Sequence, residues 1–155
     1  MADTTELPQD PTAFRPMRRP ASRDTPIGFE LEPVTKVFTL DKSRIYQGWP
    51  AARNRHTDFD AAHATGAPVP IMNGSQSAEY LTELFVKFFG KGYLGGRLVI
   101  NFRIPIVLDD VLTARGVVTG REVEGDRVRL VLDVWLENQR GEKVLAGTAS
   151  GYAAE

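Results

Sequence analysis

The run Asn73-Gly74-Ser75-Gln76-Ser77-Ala78-Glu79-Tyr80-Leu81-Thr82-Glu83-Leu84-Phe85-Val86-Lys87-Phe88-Phe89-Gly90 decides how the chain must fold. Ala78, Leu81, Leu84, Phe85 and Phe88 recur at helical spacing, and Asn73 with Gln76 three residues on has the form of a capping box. Gly90 suits a left-handed C′ position. The opposite face also carries Tyr80, Val86 and Phe89, leaving only Glu79, Thr82, Glu83 and Lys87 plainly polar. Such a helix must be buried on most sides.

The residues beyond Gly96 supply the cover. Leu98, Ile100, Phe102, Ile104 and Ile106 alternate with Val99, Asn101, Arg103, Pro105 and Val107. Val128, Leu130, Leu132, Val134 and Leu136 alternate with Arg129, Val131, Asp133, Trp135 and Glu137, the period of a half-buried strand. Val111 to Val123 and Lys143 to Tyr152 are further strands, joined through Glu124-Gly125-Asp126 and Asn138-Gln139-Arg140-Gly141. Upstream, Val34 to Leu40 reads as a first strand. Asp41 to Met72 reads as loop, with a short helix between Thr57 and Thr65. The fold class expected is α+β: a strongly curved antiparallel sheet wrapped around one long central helix, its edge open to a second copy.

Composition bounds the rest. At 155 residues, with 42% hydrophobic and 25% charged side chains, the chain suits one domain. Residues 1–28 form a Pro/Arg-rich arm holding five of the ten prolines, either a mobile tail or an arm laid on a neighbouring subunit, with Phe14 and Met17 as its apolar anchors; residues 29–155 form the domain. The absence of cysteine excludes a disulfide framework, a thiolate nucleophile and Cys-ligated metal sites. The near balance of 19 basic and 20 acidic residues argues against nucleic-acid binding. No apolar run approaches a membrane span, and no secretory signal opens the chain, so a cytoplasmic address is the default. The two histidines lack metal-ligand spacing, and Gly90, Gly92, Gly95 and Gly96 lack the context of a phosphate loop.

Chemistry concentrates in Asn54-Arg55-His56-Thr57-Asp58, followed by Gly66, Pro70 and Ile71-Met72-Asn73-Gly74. These residues resemble the MaoC-like hot-dog hydratases and dehydratases, which act on acyl thioesters; the 18-residue step from His56 to Gly74 matches that family's spacing, and the likeness runs from Phe29 to Tyr152. The resemblance implies a hot-dog fold and a hydro-lyase of the enoyl-CoA hydratase or 3-hydroxyacyl-CoA dehydratase type, with no cofactor and no metal. It assigns His56 as acid/base, Asn54 as the group that positions water, and the Gly74 amide as oxyanion donor. Asn73, Ser75, Trp49, Tyr46 and Arg55 are the expected substrate-binding residues, and an acyl-CoA thioester is the expected substrate. The expected assembly is a homodimer or higher oligomer, or a heteromer with another hot-dog chain.

Each assignment has a plainer counterpart. His56 can be a satisfied structural histidine, Gly74 simply a tight start to a helix, and Trp49 and Tyr46 core. Arg53 and Arg55 can be solvated rather than paired with coenzyme A phosphates, and His63, without a motif partner, suits surface or capping duty. One departure is chemical. The family's Asp five residues before the histidine is here Ala51, and Asn73 stands where many members have histidine. The competing expectations are therefore a catalytically degenerate subunit or acyl-binding partner of a heteromeric hydratase, and a thioesterase on the same scaffold.

Overall fold

The computed structural model describes residues 17–48 and 50–154. Along the chain come β1 (Val34–Val37), α1 (Leu40–Tyr46), α2 (Phe59–Ala64), α3 (Gly74–Phe89), a 3-10 turn (Gly90–Tyr93), β2 (Arg97–Phe102), β3 (Val111–Glu124), β4 (Arg127–Glu137) and β5 (Lys143–Tyr152). The strands form one antiparallel sheet in the order β1-β3-β4-β5-β2. α3 packs on β3, β4 and β5, which makes the molecule the α+β helix-and-sheet arrangement expected.

The core follows from the two periodicities. Leu130, Leu132, Val134 and Leu136 of β4 are buried, while the alternating residues Arg129, Val131 and Trp135 are only partly covered and Asp133 is exposed. From the helix come Leu81, Leu84, Phe85, Phe88 and Phe89. Each such side chain contributes roughly 1.5–3 kcal/mol on full burial. Phe88 stacks on Phe29 at 6.0 Å between centroids and meets Phe89 edge-on at 4.9 Å. Met17 and Ala21 are buried here too: their amides donate to the carbonyls of Lys87 and Phe88 at 3.2 and 2.8 Å. Residues 17–21 of the expected arm thus lie on the last turn of α3, and the stretch after them crosses to β3, where the Gly28 amide donates to the Val118 carbonyl at 2.7 Å; Phe14 lies outside the described residues.

Four local expectations are corrected. The first strand ends at Val37, and Leu40 opens α1 within what reads as loop, because Thr39 caps it by accepting from the Lys42 amide at 3.3 Å. β2 stops at Phe102, short of Val107, as Pro105 lacks the donor a strand needs. The capping box is not made as expected. The Asn73 side chain accepts from Ser75 at 2.9 Å, and Gln76 Oε1 is buried without a partner. Gly90 has a positive φ of 56° but a ψ of −129°, because the chain turns into the 3-10 segment instead of closing a left-handed cap.

Two features generate tests of packing and charge. A Cβ on Gly151 would lie 2.8–2.9 Å from three atoms of the Phe89 ring. Gly151→Ala should cost about 1–3 kcal/mol by overpacking, read from the urea midpoint. An unchanged midpoint would mean that the ring moves aside freely.

Glu83 accepts from Lys36 at 2.5 Å and from Lys87 at 2.9 Å. Burial pushes its carboxyl up, but the hydrogen bonds and charges of the two ammonium groups together outweigh burial and hold it below the ordinary range. A folded-state pKa below the unfolded one stabilises above the unfolded value, roughly pH 4.3, and the gain is lost as pH falls through the folded value. The melting temperature of the wild type should exceed that of Glu83→Gln at pH 7, and the gap should shrink as pH falls from the ordinary carboxylate range through the lower folded value. A gap independent of pH would contradict this.

Candidate active site

The loop between α1 and α2 is built around Thr57. Its hydroxyl donates to the Ala52 carbonyl at 2.6 Å and accepts from the Asn54 amide at 3.1 Å, and the residue is buried. Asn54 Oδ1 accepts from the His56 amide at 2.8 Å, an Asx turn that aims the following residue. α1 clamps the other side. Buried Ser43 donates to the His56 carbonyl at 2.6 Å, and Arg44 Nε donates to the Thr57 carbonyl at 3.2 Å.

His56 is half-buried, and its Nδ1 lies 2.8 Å from the Ile71 carbonyl. A carbonyl oxygen only accepts, so Nδ1 carries the proton; in the neutral ring Nε2 then holds the lone pair. Ile71 is fixed in turn, its amide donating to the Arg55 carbonyl at 3.2 Å and its backbone bridging Val107. The Met72 amide donates to the Ile106 carbonyl at 2.8 Å. The chain then enters the Asn73 cap and α3. The imidazole is thereby tied to backbone three residues before Gly74.

A cavity of about 310 Å³ opens at this end of α3, with Ile71, Met72, Gly74, Ser77, Phe102 and Ile104 among its walls. Ser77 Oγ donates to the Gly74 carbonyl at 2.7 Å and braces the first turn. The Phe102 ring lies 3.3 Å from where a Gly74 Cβ would sit. The Gly74 amide, at the first position of α3, has no hydrogen-bond partner among the described residues, and the helix dipole there favours negative charge. His56 is not itself one of the walls. Ile71 joins the two, its carbonyl holding the ring while the residue lines the cavity.

The other expected residues divide. Asn54 and Asn73 sit at the two turns that hold the site, with their side-chain oxygens engaged by backbone amides. Ser75 is exposed on the first turn; Arg55 is exposed while its carbonyl takes the Ile71 amide. Tyr46, at the end of α1, is exposed and not a wall of the cavity; Trp49 lies outside the described residues. Asp58 caps α2 through the Ala61 amide at 3.0 Å and pairs with Arg53 at 2.9 and 3.1 Å. The Arg53 hydrogen bonds, with the Ala61 amide next, hold its carboxyl below the ordinary range. His63 Nε2 lies 2.8 Å from the Pro68 carbonyl on the exposed side of α2. Among the described residues no carboxylate hydrogen-bonds His56, and no group of three or more His, Asp or Glu is arranged to hold a metal ion. Among the described residues no helix is long and apolar enough to cross a membrane.

Sequence reasoning passes over Ser43, Thr57 and Ile71. Ser43 is legible in principle, since Thr39 as N-cap, Asp41 in the first turn and Arg44 in the last mark α1. Ile71 acts through its carbonyl, which no side-chain pattern reports.

No family model and no curated protein matches the chain. Solved structures do. A MaoC-like dehydratase from Rhodospirillum rubrum is similar over 86% of this chain and 95% of its own, with TM-score 0.71 and 19% identity. The R-hydratase PhaJ1 from Pseudomonas aeruginosa is similar over 84% and 83%, with TM-score 0.68 and 23% identity. The HadBC 3R-hydroxyacyl-ACP dehydratase complex from Mycobacterium tuberculosis is similar over 82% and 96%, with TM-score 0.62 and 16% identity. The chain therefore has the hot-dog fold of MaoC-like dehydratases and R-hydratases.

Thr57→Val removes the hydroxyl that knots the loop and leaves the Ala52 carbonyl without its donor. It should lower stability by about 1–3 kcal/mol in urea denaturation and shift the His56 amide resonance. A variant that matches wild type in both would show that Thr57 does not hold the loop.

Proposed function

We propose that the chain is a subunit of an acyl-thioester hydratase/dehydratase, adding water across the α,β bond of an enoyl thioester or removing it from a 3-hydroxyacyl thioester. The observation that carries this reading is the 2.8 Å contact between His56 Nδ1 and the Ile71 carbonyl, which commits Nδ1 to donation and leaves Nε2 to act as base. In hydration, Nε2 takes a proton from water as the water oxygen bonds to the β-carbon. The electron pair moves onto the thioester oxygen, where the Gly74 amide donates to the developing enolate. The imidazolium then returns the proton to the α-carbon. Dehydration is the reverse, and neither direction requires a redox step or a cofactor.

In this reading Asn54 positions water through its NH₂ group, since its oxygen is occupied by the His56 amide. Asn73, Ser75, Tyr46, Trp49 and Arg55 contact the acyl-CoA thioester, Arg55 by pairing with its phosphates. The assembly is an oligomer formed along β2, an edge strand with Val99 and Phe102 exposed and Ile104 exposed just beyond its end. A second strand there would cover the ladder and wall the cavity beside Phe102, which is 62% exposed. The proposed address is the cytoplasm, and residues 1–28 are proposed as an N-terminal arm whose described part, from Met17, is laid on the domain.

A second reading is favoured by Ala51, in whose place no carboxylate among the described residues hydrogen-bonds His56. Here the chain is a degenerate or acyl-binding subunit whose hot-dog partner supplies the acid, as befits a fold shared with the HadBC complex. The thioesterase reading has no such support, because Asp58 is spent on capping α2 and pairing Arg53.

The test measures loss of enoyl absorbance on a panel of enoyl-CoA substrates, with free thiol measured in parallel. The isolated wild type should turn over, and His56→Ala should lose at least about 100-fold in kcat with its fold retained by circular dichroism. Activity only on mixing with a second hot-dog chain selects the subunit reading. Equal rates in wild type and His56→Ala remove His56 from the mechanism, and thiol release without loss of the double bond selects a thioesterase.

A further inference from the structure

A second, roomier cavity lies at the other end of α3. It measures about 850 Å³, within the range of small-molecule sites, and is bounded by the end of α3, the 3-10 turn, the β3–β4 hairpin and the ends of β5 and the arm. Val86, Phe89, Tyr93, Leu94 and Val128 give it apolar walls. Leu94 is 63% exposed at its rim. A 16-residue helix is about 24 Å long, so this cavity is separate from the one at Gly74.

Its charge is lopsided. Among its walls four cationic side chains, Arg23, Lys87, Lys91 and Arg127, stand with one carboxylate, Asp126, although the chain as a whole is nearly neutral; behind the Tyr152 ring, Glu124 accepts from the Tyr152 hydroxyl at 2.9 Å and offsets part of the Arg127 charge. Lys87 is engaged by Glu83. Arg23 donates to the backbone carbonyl of Asp126, which leaves its charge uncompensated by that bond. The Arg127 guanidinium lies 3.4 Å from the centroid of the Tyr152 ring, a stacking that fixes its plane. Lys91 stands on the exposed turn and forms no ion pair among the described residues.

We propose that this groove is a second ligand site, for an amphipathic organic anion: an unbranched hydrocarbon body ending in a carboxylate. The apolar walls match the body, and Arg127, Lys91 and Arg23 match the anionic end, with guanidinium geometry suited to a carboxylate. A neutral apolar ligand would leave the cations unused, and a purely polar anion would leave the walls wet. The site stands independently of the hydratase reading, since neither His56 nor Gly74 belongs to it.

The experiment titrates full-length ¹⁵N-labelled protein with dodecanoate and, in parallel, with dodecan-1-ol, monitoring amide resonances. Dodecanoate should give saturable shifts at Gly90, Gly92, Val128 and Ala153, and dodecan-1-ol should bind about 10-fold more weakly. Lys91→Glu, at an exposed position, should weaken dodecanoate by a similar factor, and Arg127→Gln should do so while circular dichroism confirms its fold. Equal affinity for acid and alcohol, shifts confined to Gly74–Ser77, or no saturable shift would overturn the proposal. So would shifts at the groove that depend on protein concentration without ligand, which would assign it to a second copy.

Discussion

A helix apolar on most of its surface cannot stand against one flat layer, and the need to cover α3 governs the rest of the molecule. β4 takes one side through Leu130, Leu132, Val134 and Leu136, flanked by Ala114 and Val118 of β3 and by Leu145 and Ala149 of β5; Met17 and Ala21 close over the last turn. The sheet concedes space where the helix is bulky. Gly151 lies against Phe89 because no other residue leaves room for the ring. The segment from Phe38 to Met72 is pinned at both ends by pairing to residues 106–110, where Phe38 and Met72 enter the core, and is held between them by polar contacts around the candidate site.

Much of this is legible in the sequence because the dominant signals are periodic. The alternation in β4 and the stripe Leu81, Leu84, Phe85, Phe88 each admit one reading, and both elements lie close to where the sequence puts them. α1 escapes that reading because a seven-residue helix with an exposed Ile45 has too few turns to show a stripe; only its cap marks it. The pairing of Asn73 with Gln76 misleads for a different reason. A capping box depends on side-chain direction, and Gln76 is drawn into the interior. At the site, residue types and spacing single out His56 and Gly74, but what orients the imidazole is a backbone carbonyl, and main-chain partners leave no trace in a side-chain pattern.

The candidate site is economical in its ionisable groups. One imidazole is tied to the backbone just ahead of the helix, and Asp58, the carboxylate nearest to it in sequence, is occupied by a cap and an arginine. A lone base can both take and return a proton, provided that its orientation is held, and here Asn54, Ser43 and Ile71 grip the residue at its amide, its carbonyl and its ring. The opposite end of α3 has the reverse character, roomy and cationic.

The three central strands are consecutive in the chain, β3 and β4 joined by two residues and β4 and β5 by five. Loops so short are the least costly to close, whereas β1 and β2 must find neighbours across long stretches of intervening chain. Folding accordingly favours early assembly of a three-strand meander, with α3 docking onto a ready-made platform and the two rims annealing afterwards. The segment that bears His56 is anchored to Ile71 and, through it, to Val107, so the candidate site takes shape in the same late phase as the rims.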